Sequence, residues 1–204
     1  MAITFDGSGT VTGISVGGLP DGIVDTDMIA ANAVTAAKRG AGAIIQVVEM
    51  KKTDTTSINP STSWADVSGL AITITPTSAS NKILLTGMIN HSHVGQHIGS
   101  RIVRSVGGSD AIPTGWVGDA SGSRTQTLTG NWGFSAEAND GNEMLNISII
   151  DDSHNTTSAI TYKFQMFEYS SSSEIAYFNR SHNNTDAAYS YLAVSTMIAM
   201  EVAA

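Results

Sequence analysis

The chain lacks cysteine, has few charged residues and has little positive charge, and each of these absences excludes a class of function. Without cysteine it has no disulfides, thiolate metal ligands or cysteine nucleophiles. Charged residues make up 14% of the 204 residues, and 10 Lys and Arg stand against 18 Asp and Glu, for a formal net charge of −8. Because phosphate contacts need clustered Lys and Arg, we expect no nucleic-acid partner.

Long apolar runs are also missing. No stretch approaches the roughly 20 apolar residues of a membrane span, so no membrane insertion is expected. The N-terminus has no basic region followed by an apolar run, so no signal peptide is expected. No Gly-rich phosphate loop stands between a strand and a helix, and no cofactor is expected.

The first 43 residues are rich in Gly, Ala, Ser, Thr and Asp, and their apolar residues recur with a period of five at Val24, Ile29 and Val34. That spacing fits neither a strand nor a single amphipathic helix. Such a segment buries too little apolar surface to offset its own chain entropy. We therefore interpret residues 1–43 as an attachment and trimerisation stalk, in which Val24, Ile29 and Val34 contact the other copies.

From residue 44 onward the sequence has the period of β-strands. Apolar and polar residues alternate in Leu70–Thr75, and Ile160, Tyr162, Phe164 and Met166 share one face of another run. In the last run, from Val194 to Val202, the even-numbered residues share one face. About ten such runs, joined by Gly, Ser, Asn and Asp turns, predict a mainly β head over residues 44–204, an antiparallel β-sandwich or jelly roll.

The order of several short segments resembles the tail-fibre-like proteins of marine bacteriophages, especially those of cyanobacterial hosts. The segments include GGLPDG, DMIAANAVTAAK, IIQVVEMKKTDTTS, SWADVSGLAITITPTSASNKIL, VGDASGSRTQ, HNTTSAITYKFQ and IAYFNRS. The resemblance implies a homotrimeric virion fibre with an N-terminal attachment segment, a β-structured head and a role in host attachment rather than catalysis. The chain is short for a complete tail fibre, which leaves a distal tip, a short spike or a head fibre open.

The segment His91-Ser-His93-Val-Gly-Gln-His97 is the strongest chemical candidate. His91 and His93 should point the same way at the end of a strand. Gathered around a threefold axis, such pairs can form an imidazole site for Zn²⁺, Fe²⁺ or Ni²⁺. The alternative, which we prefer, is a polar loop whose histidines face water or a ligand, so no metal is expected.

Two acidic groups, Asp151-Asp152 with His154 and Glu137 with Asp140 and Glu143, are candidates for glycan hydrolysis. Their positions are typical of solvated turn residues, so we expect no enzyme activity. The arginines at 101, 104, 124 and 180 are expected in structural ion pairs, with Asp119 and Asp186 as candidate partners.

Receptor recognition is expected in the loops, because loops tolerate sequence change without loss of the fold. The predicted binding residues are His91, His93, His97, Trp116 and Asn183, which suit a neutral or weakly acidic glycan through stacking and uncharged hydrogen bonds.

The sequence thus predicts a virion fibre subunit, a tail fibre or fibre tip, that attaches to a host surface glycan or protein. Its N-terminus would bind other virion tail or head proteins, and its location would be the phage tail or capsid surface. The alternatives are a head-decorating capsid fibre and a glycan-degrading tail spike.

Overall fold

A computed structural model describes residues 4–5, 11–12, 34–35, 38–60, 62–93, 97–132, 141–169 and 175–204. The contacts of the chain divide it into two units, Met1–Arg39 and Gly40–Ala204, close to the boundary predicted after residue 43. In the first unit, β1 (Thr4–Phe5) pairs antiparallel with β2 (Val11–Thr12). The predicted trimer contacts Val24 and Ile29 lie outside the described residues, and Val34 is exposed.

The second unit is built of antiparallel strands, which confirms the mainly β prediction, and the described residues contain no α-helix. None of the described helical turns is long and apolar enough to cross a membrane. The strands are β3 (Ile44–Lys52), β4 (Thr56–Ile58), β5 (Ala65–Ile74), β6 (Lys82–Ser92), β7 (His97–Val106), β8 (Ser109–Ala111), β9 (Thr129–Trp132), β10 (Glu143–Asp151), β11 (Ile160–Glu168), β12 (Ala176–Phe178) and β13 (Ser195–Val202).

The strands form two sheets. In the six-stranded sheet the order is β3-β13-β6-β12-β4, and β10 also pairs with β6. His91 of β6 is opposite Glu143 of β10 and Phe178 of β12, so β6 has β10 on one side, and β13 followed by β12 on the other. In the five-stranded sheet the order is β5-β11-β7-β8, and β9 pairs with the first half of β7.

One hydrophobic core lies between the inner faces of the two sheets. Its residues come from both sheets, among them Leu70, Ile72, Ile102 and Tyr162 from the five-stranded sheet and Ile83, Leu85, Ile147 and Phe178 from the six-stranded sheet. The predicted alternation in β11 is confirmed, because Ile160, Tyr162, Phe164 and Met166 are all fully buried. Burial of such side chains, at about 1.5–3 kcal/mol each, is the main stabilising contribution.

In β13 the even-numbered residues share one face, as predicted, and that face is the outer one. The odd-numbered residues Ser195, Met197, Ala199 and Glu201 face the core, while the even-numbered residues are half-buried. The polar residues fit the core because each has partners. Ser195 Oγ donates to Asn179 Oδ1 at 2.6 Å and accepts from the backbone N–H of Asn90 at 2.9 Å.

Glu201 is a buried carboxylate that joins three segments. It accepts hydrogen bonds from Asn81 Nδ2 at 2.7 Å, from Gln46 Nε2 at 2.6 Å and from the N–H and hydroxyl of Thr77, each at 2.8 Å. Burial by itself would raise the pKa of Glu201, but these hydrogen bonds outweigh burial and lower it. The carboxylate therefore fixes the loop between β5 and β6 to β3 and β13.

A second buried carboxylate links the two sheets. Asp151, at the end of β10, accepts from Arg104 Nη1 at 2.7 Å and from the Tyr162 hydroxyl at 2.9 Å. Burial and the Asp151 charge raise the pKa of Tyr162, which keeps the phenol protonated as the donor. Asp151 is thus a core residue rather than a solvated turn residue, and Arg104 pairs with it rather than with Asp119 or Asp186.

We predict that Glu201→Ala lowers the free energy of unfolding by about 3 kcal/mol, because several buried donors lose their acceptor. That loss corresponds to a melting temperature roughly 6–12 °C lower. The control is Asp186→Ala in the segment between β12 and β13, where the carboxylate is exposed, and it should change the melt little. Equal melting temperatures for the two variants, measured by circular dichroism, would contradict the role of Glu201.

Candidate functional site

An open groove of about 600 Å³ lies where β7 begins and β11 ends. Because the two strands are antiparallel, the start of one lies beside the end of the other, with Phe167 opposite Gly99. This places His97, Phe167 and Tyr169 together, and the rings of His97 and Tyr169 meet edge to face at 6.4 Å. Tyr169 is 70% exposed, so the groove presents an aromatic ring to solvent.

The opposite wall of the groove belongs to the loop between β8 and β9, and Ser123, Arg124, Thr125 and Thr127 line it. Backbone hydrogen bonds hold this loop: Leu128 donates to Ser100 O at 2.8 Å, and Gly118 donates to Thr127 O at 3.1 Å. Gly99 is needed beneath the loop, because a side chain there would collide with the Thr127 methyl group. The wall is therefore fixed to the sheet rather than free of it.

A second depression of about 440 Å³ adjoins the groove and shares Thr125 with it. Its floor is a stacked set of side chains. The Arg101 guanidinium lies 4.0 Å from the centre of the Trp64 ring, and Trp64 lies 5.4 Å from Phe167. Arg101 also donates to Gln165 Oε1 at 2.8 Å, and burial lowers its pKa, opposed by Asp110 and Asp66.

We call the groove beside Tyr169 and the second depression together the aromatic groove. It combines ring faces, hydroxyl groups and the guanidinium groups of Arg101 and Arg124. This is the chemistry that binds sugar rings, with stacking on aromatic faces and hydrogen bonds to hydroxyls. The nearby carboxylates of Asp66 and Asp110 are engaged with Lys163 Nζ, at 3.1 and 2.5 Å. The described residues that line the groove beside Tyr169 include no Asp or Glu, and Asp119 lines the second depression.

The structure does not bring the five predicted binding residues together. His97 lies in the groove, and Asn183 is exposed in the segment that follows β12 of the other sheet. Trp116 is only 5% exposed, and its ring lies 6.0 Å from that of Tyr162 in the core. The expectation that Trp116 is exposed is therefore wrong: its Gly-rich loop folds the indole inward, where it buries a large apolar surface.

His91 and His93 continue the inward-facing positions of β6 and are fully buried. None of their four ring nitrogens has a hydrogen-bond partner among the described residues, and Glu143 Oε2 lies 3.6 Å from His91 Nε2. Burial, followed by repulsion from a neighbouring imidazole, lowers the pKa of each to about 4. The described residues contain no group of three His, Cys, Asp or Glu that could hold a metal.

The other candidate residues have structural roles where they are described. His154 is buried, and its ring nitrogens contact Asn81 O at 2.6 Å and Thr156 O at 3.1 Å. Glu143 accepts from Asn131 Nδ2, and burial raises its pKa. The guanidinium of Arg180 stacks on the Tyr177 ring at 3.7 Å. Glu137 and Asp140 lie outside the described residues.

Sequence reasoning missed the main groove residues Trp64, Phe167 and Tyr169. A signal was present for two of them. Phe167 and Tyr169 stand at odd positions of a run whose even positions, Phe164 through Glu168, face the core. Successive side chains of a strand point to opposite faces, so aromatic residues between the core-facing positions could have been predicted to face outward.

We predict that the protein loses stability as the pH falls from 6.5 towards 4. The neutral forms of His91 and His93 are favoured in the folded state, while the unfolded chain takes up protons near pH 6.5. Stability is therefore full above pH 6.5, and His91 alone contributes a loss of about 3 kcal/mol by pH 4. His91→Phe should flatten this dependence in urea unfolding, whereas Phe178→Leu, at a neighbouring buried ring, should keep it. An unfolding free energy that is constant from pH 7 to 5 would contradict the prediction.

Comparison with known proteins gives distant structural similarities alone. No family model and no curated protein matches the chain. The structure of infectious bursal disease virus Gx strain has a TM-score of 0.40 and 14% identity over 78% of this chain and 37% of that chain. The Gt strain structure has a TM-score of 0.38, 14% identity and coverage of 80% and 39%. The VP2 subviral particle of the same virus has a TM-score of 0.39, 11% identity and coverage of 78% and 37%.

The chain thus spans less than two-fifths of the length of these viral chains. With TM-scores below 0.5, these similarities carry no argument about the function of this chain.

Proposed function

We propose that the chain is a subunit of a virion fibre, a tail fibre or fibre tip, and that it recognises a glycan on the host-cell surface through the aromatic groove. The observation that carries the proposal is the exposed ring of Tyr169, which lies in a groove beside His97 and Phe167 of the five-stranded sheet and Arg124 of the loop between β8 and β9. The order of the short sequence segments resembles that in phage tail-fibre-like proteins, and this supports a location in the virion. It also supports a homotrimer that is attached to other virion proteins through the N-terminal unit.

The groove suits a neutral or weakly acidic sugar. Tyr169 and Phe167 offer apolar ring surface to the C–H face of a pyranose, and the hydroxyls of Ser123, Thr125 and Thr127 suit its hydroxyl groups. Arg124 can pair with a single carboxylate on the sugar. A densely anionic polymer is disfavoured, because the net charge of −8 repels it at low salt.

Two other functions follow from the same architecture. A head-decorating capsid fibre would use the same groove from a different place on the virion, and labelling of the particle separates the two locations. A glycan-degrading spike requires paired carboxylates at the bound sugar. Of the carboxylates that suggested this function, Asp151 binds Arg104 and Tyr162, Glu143 binds Asn131, and Asp152 is exposed.

We predict that Tyr169→Ala and Arg124→Ala each weaken glycan binding about tenfold or more, through the loss of one stacking or one charged contact. Neither should change the melting temperature appreciably, because both side chains are exposed. The measurements are binding of the full chain to an array of bacterial surface polysaccharides and adsorption to host cells.

The matched control is Tyr191→Ala, since Tyr191 is 62% exposed and does not line the groove. It should bind as the unaltered chain does. Full binding by both groove variants would refute the groove as the receptor site. Release of reducing sugar from a bound polysaccharide would favour the spike instead.

A further inference from the structure

The outer face of the six-stranded sheet carries an apolar row that crosses four strands. Met200 of β13 is opposite Val47 of β3 and Leu84 of β6, and Leu84 is opposite Ile150 of β10. Val47 is 58% exposed and Ile150 is 55% exposed. Four more outward-facing apolar residues lie on the same strands. Ile198 and Val202 are next to Met200 on the outer side of β13, and Met88 and Met144 lie further along β6 and β10, beyond Thr86 and Ser148. We call these eight residues the apolar outer face.

The apolar outer face is a consequence of how β13 is oriented. The strand turns Ser195, Met197, Ala199 and Glu201 towards the core and presents Ile198, Met200 and Val202 outward. Three of its four large apolar residues are thus placed on the side where burial within the unit is incomplete. Exposed apolar area is costly in water, so an arrangement of this kind favours coverage by another molecule.

The other sheet shows the contrasting arrangement. On its outer face Thr73 and Thr161 hydrogen bond to each other at 2.8 Å, and Lys163 joins Asp66 and Asp110. Polar pairs of this kind are suited to water. The same unit therefore has one polar outer face, which borders the aromatic groove, and one apolar outer face.

The apolar outer face can form part of an interface between protein molecules. A standard interface buries about 800 Å² on each partner, a little over half of it apolar. The apolar outer face would supply apolar contacts in such an interface, and the polar residues among and around it would supply the rest.

The residues at the border of this face favour a second copy of the chain as the partner. Glu49 and Lys51 of β3 and Lys82 of β6 are all exposed there, opposite Ile198, Thr196 and Val202. Charges of both signs around an apolar centre let the carboxylate of one copy face the ammonium groups of another. A partner whose surface carried charges of one sign would be repelled either by Glu49 or by Lys51 and Lys82.

From these observations we infer that the apolar outer face is a contact surface between copies of this chain. The head would thus add its own contact to that of the N-terminal unit. In a trimer the three apolar rows would lie towards the shared axis, and the aromatic grooves, on the other sheet of each copy, would lie on the outside. This inference rests on the homo-oligomer in the proposed function.

The test is native mass spectrometry and light scattering of the full chain, with Val47→Lys and Ile150→Lys combined. At about 10 µM the unaltered chain should be an oligomer, and the double variant should dissociate, with a dissociation constant raised at least about 100-fold. Circular dichroism should show the same β content for both, since the two positions are exposed edge-strand residues. The milder pair Val47→Thr and Ile150→Thr, which keeps β-branched side chains, should also weaken assembly. It replaces the lysine pair as the test if the lysine pair does not fold.

The matched control is Leu192→Lys, because Leu192 is 75% exposed and lies outside the apolar outer face. It should assemble as the unaltered chain does. If the unaltered chain is an oligomer and both altered pairs keep the same mass and affinity, the inference is wrong while the proposed homo-oligomer stands. If the unaltered chain is a monomer, both are wrong.

Discussion

The structure depends on one constraint: each strand has two faces, and the packing of two sheets over one core can bury just one of them. The inner faces hold residues such as Ile83, Ile102 and Phe164, and their burial supplies most of the stability. Two buried carboxylates then fix the geometry, since Glu201 holds a loop against β3 and β13, and Asp151 joins the sheets through Arg104 and Tyr162. Whatever the chain presents to other molecules must come from the outward faces and from the loops fixed to them.

The two outward faces have different chemistry. On the five-stranded sheet, Arg101 stacks on Trp64, and Phe167 and Tyr169 open into a groove walled by the loop between β8 and β9. On the six-stranded sheet, Val47, Met200, Leu84 and Ile150 form an apolar row. A surface with rings, hydroxyls and guanidinium groups suits a small polar ligand, whereas a flat apolar row suits another protein surface. This division is the physical basis for assigning recognition to one sheet and assembly to the other.

The sequence was sufficient for the elements in which one face is clearly more apolar than the other. In β11 the even positions are large and apolar and the odd positions are mixed, so the buried face could be predicted. In β13 the sequence alone does not show which face is buried. Ser195 and Glu201 can face the core because they form hydrogen bonds there, and their partners Asn179, Asn81 and Gln46 belong to other segments of the chain. The segment from Arg124 to Leu128 is a loop that lines the groove, and β9 begins at Thr129.

The site could be predicted only in part, for the same reason. His97 was identified because the segment from His91 to His97 holds three histidines, an unusual concentration of one chemically active side chain. Trp64 was missed because its partners, Arg101 and Phe167, come from distant strands. Trp116 and Asp151 were given surface roles because their neighbours are turn residues, and tertiary packing placed both inside. Local composition indicates where a turn lies, but it does not show which way a side chain at the turn points.

An electron cryomicroscopy map of the assembly that the full chain forms tests the central claim, that the two outward faces have separate roles, most directly. The account predicts copies that meet through the apolar outer face of the six-stranded sheet, with the aromatic groove open to solvent on the outside of each copy. A map in which the groove is covered by a neighbouring copy, or in which Val47, Met200, Leu84 and Ile150 face solvent, would contradict it.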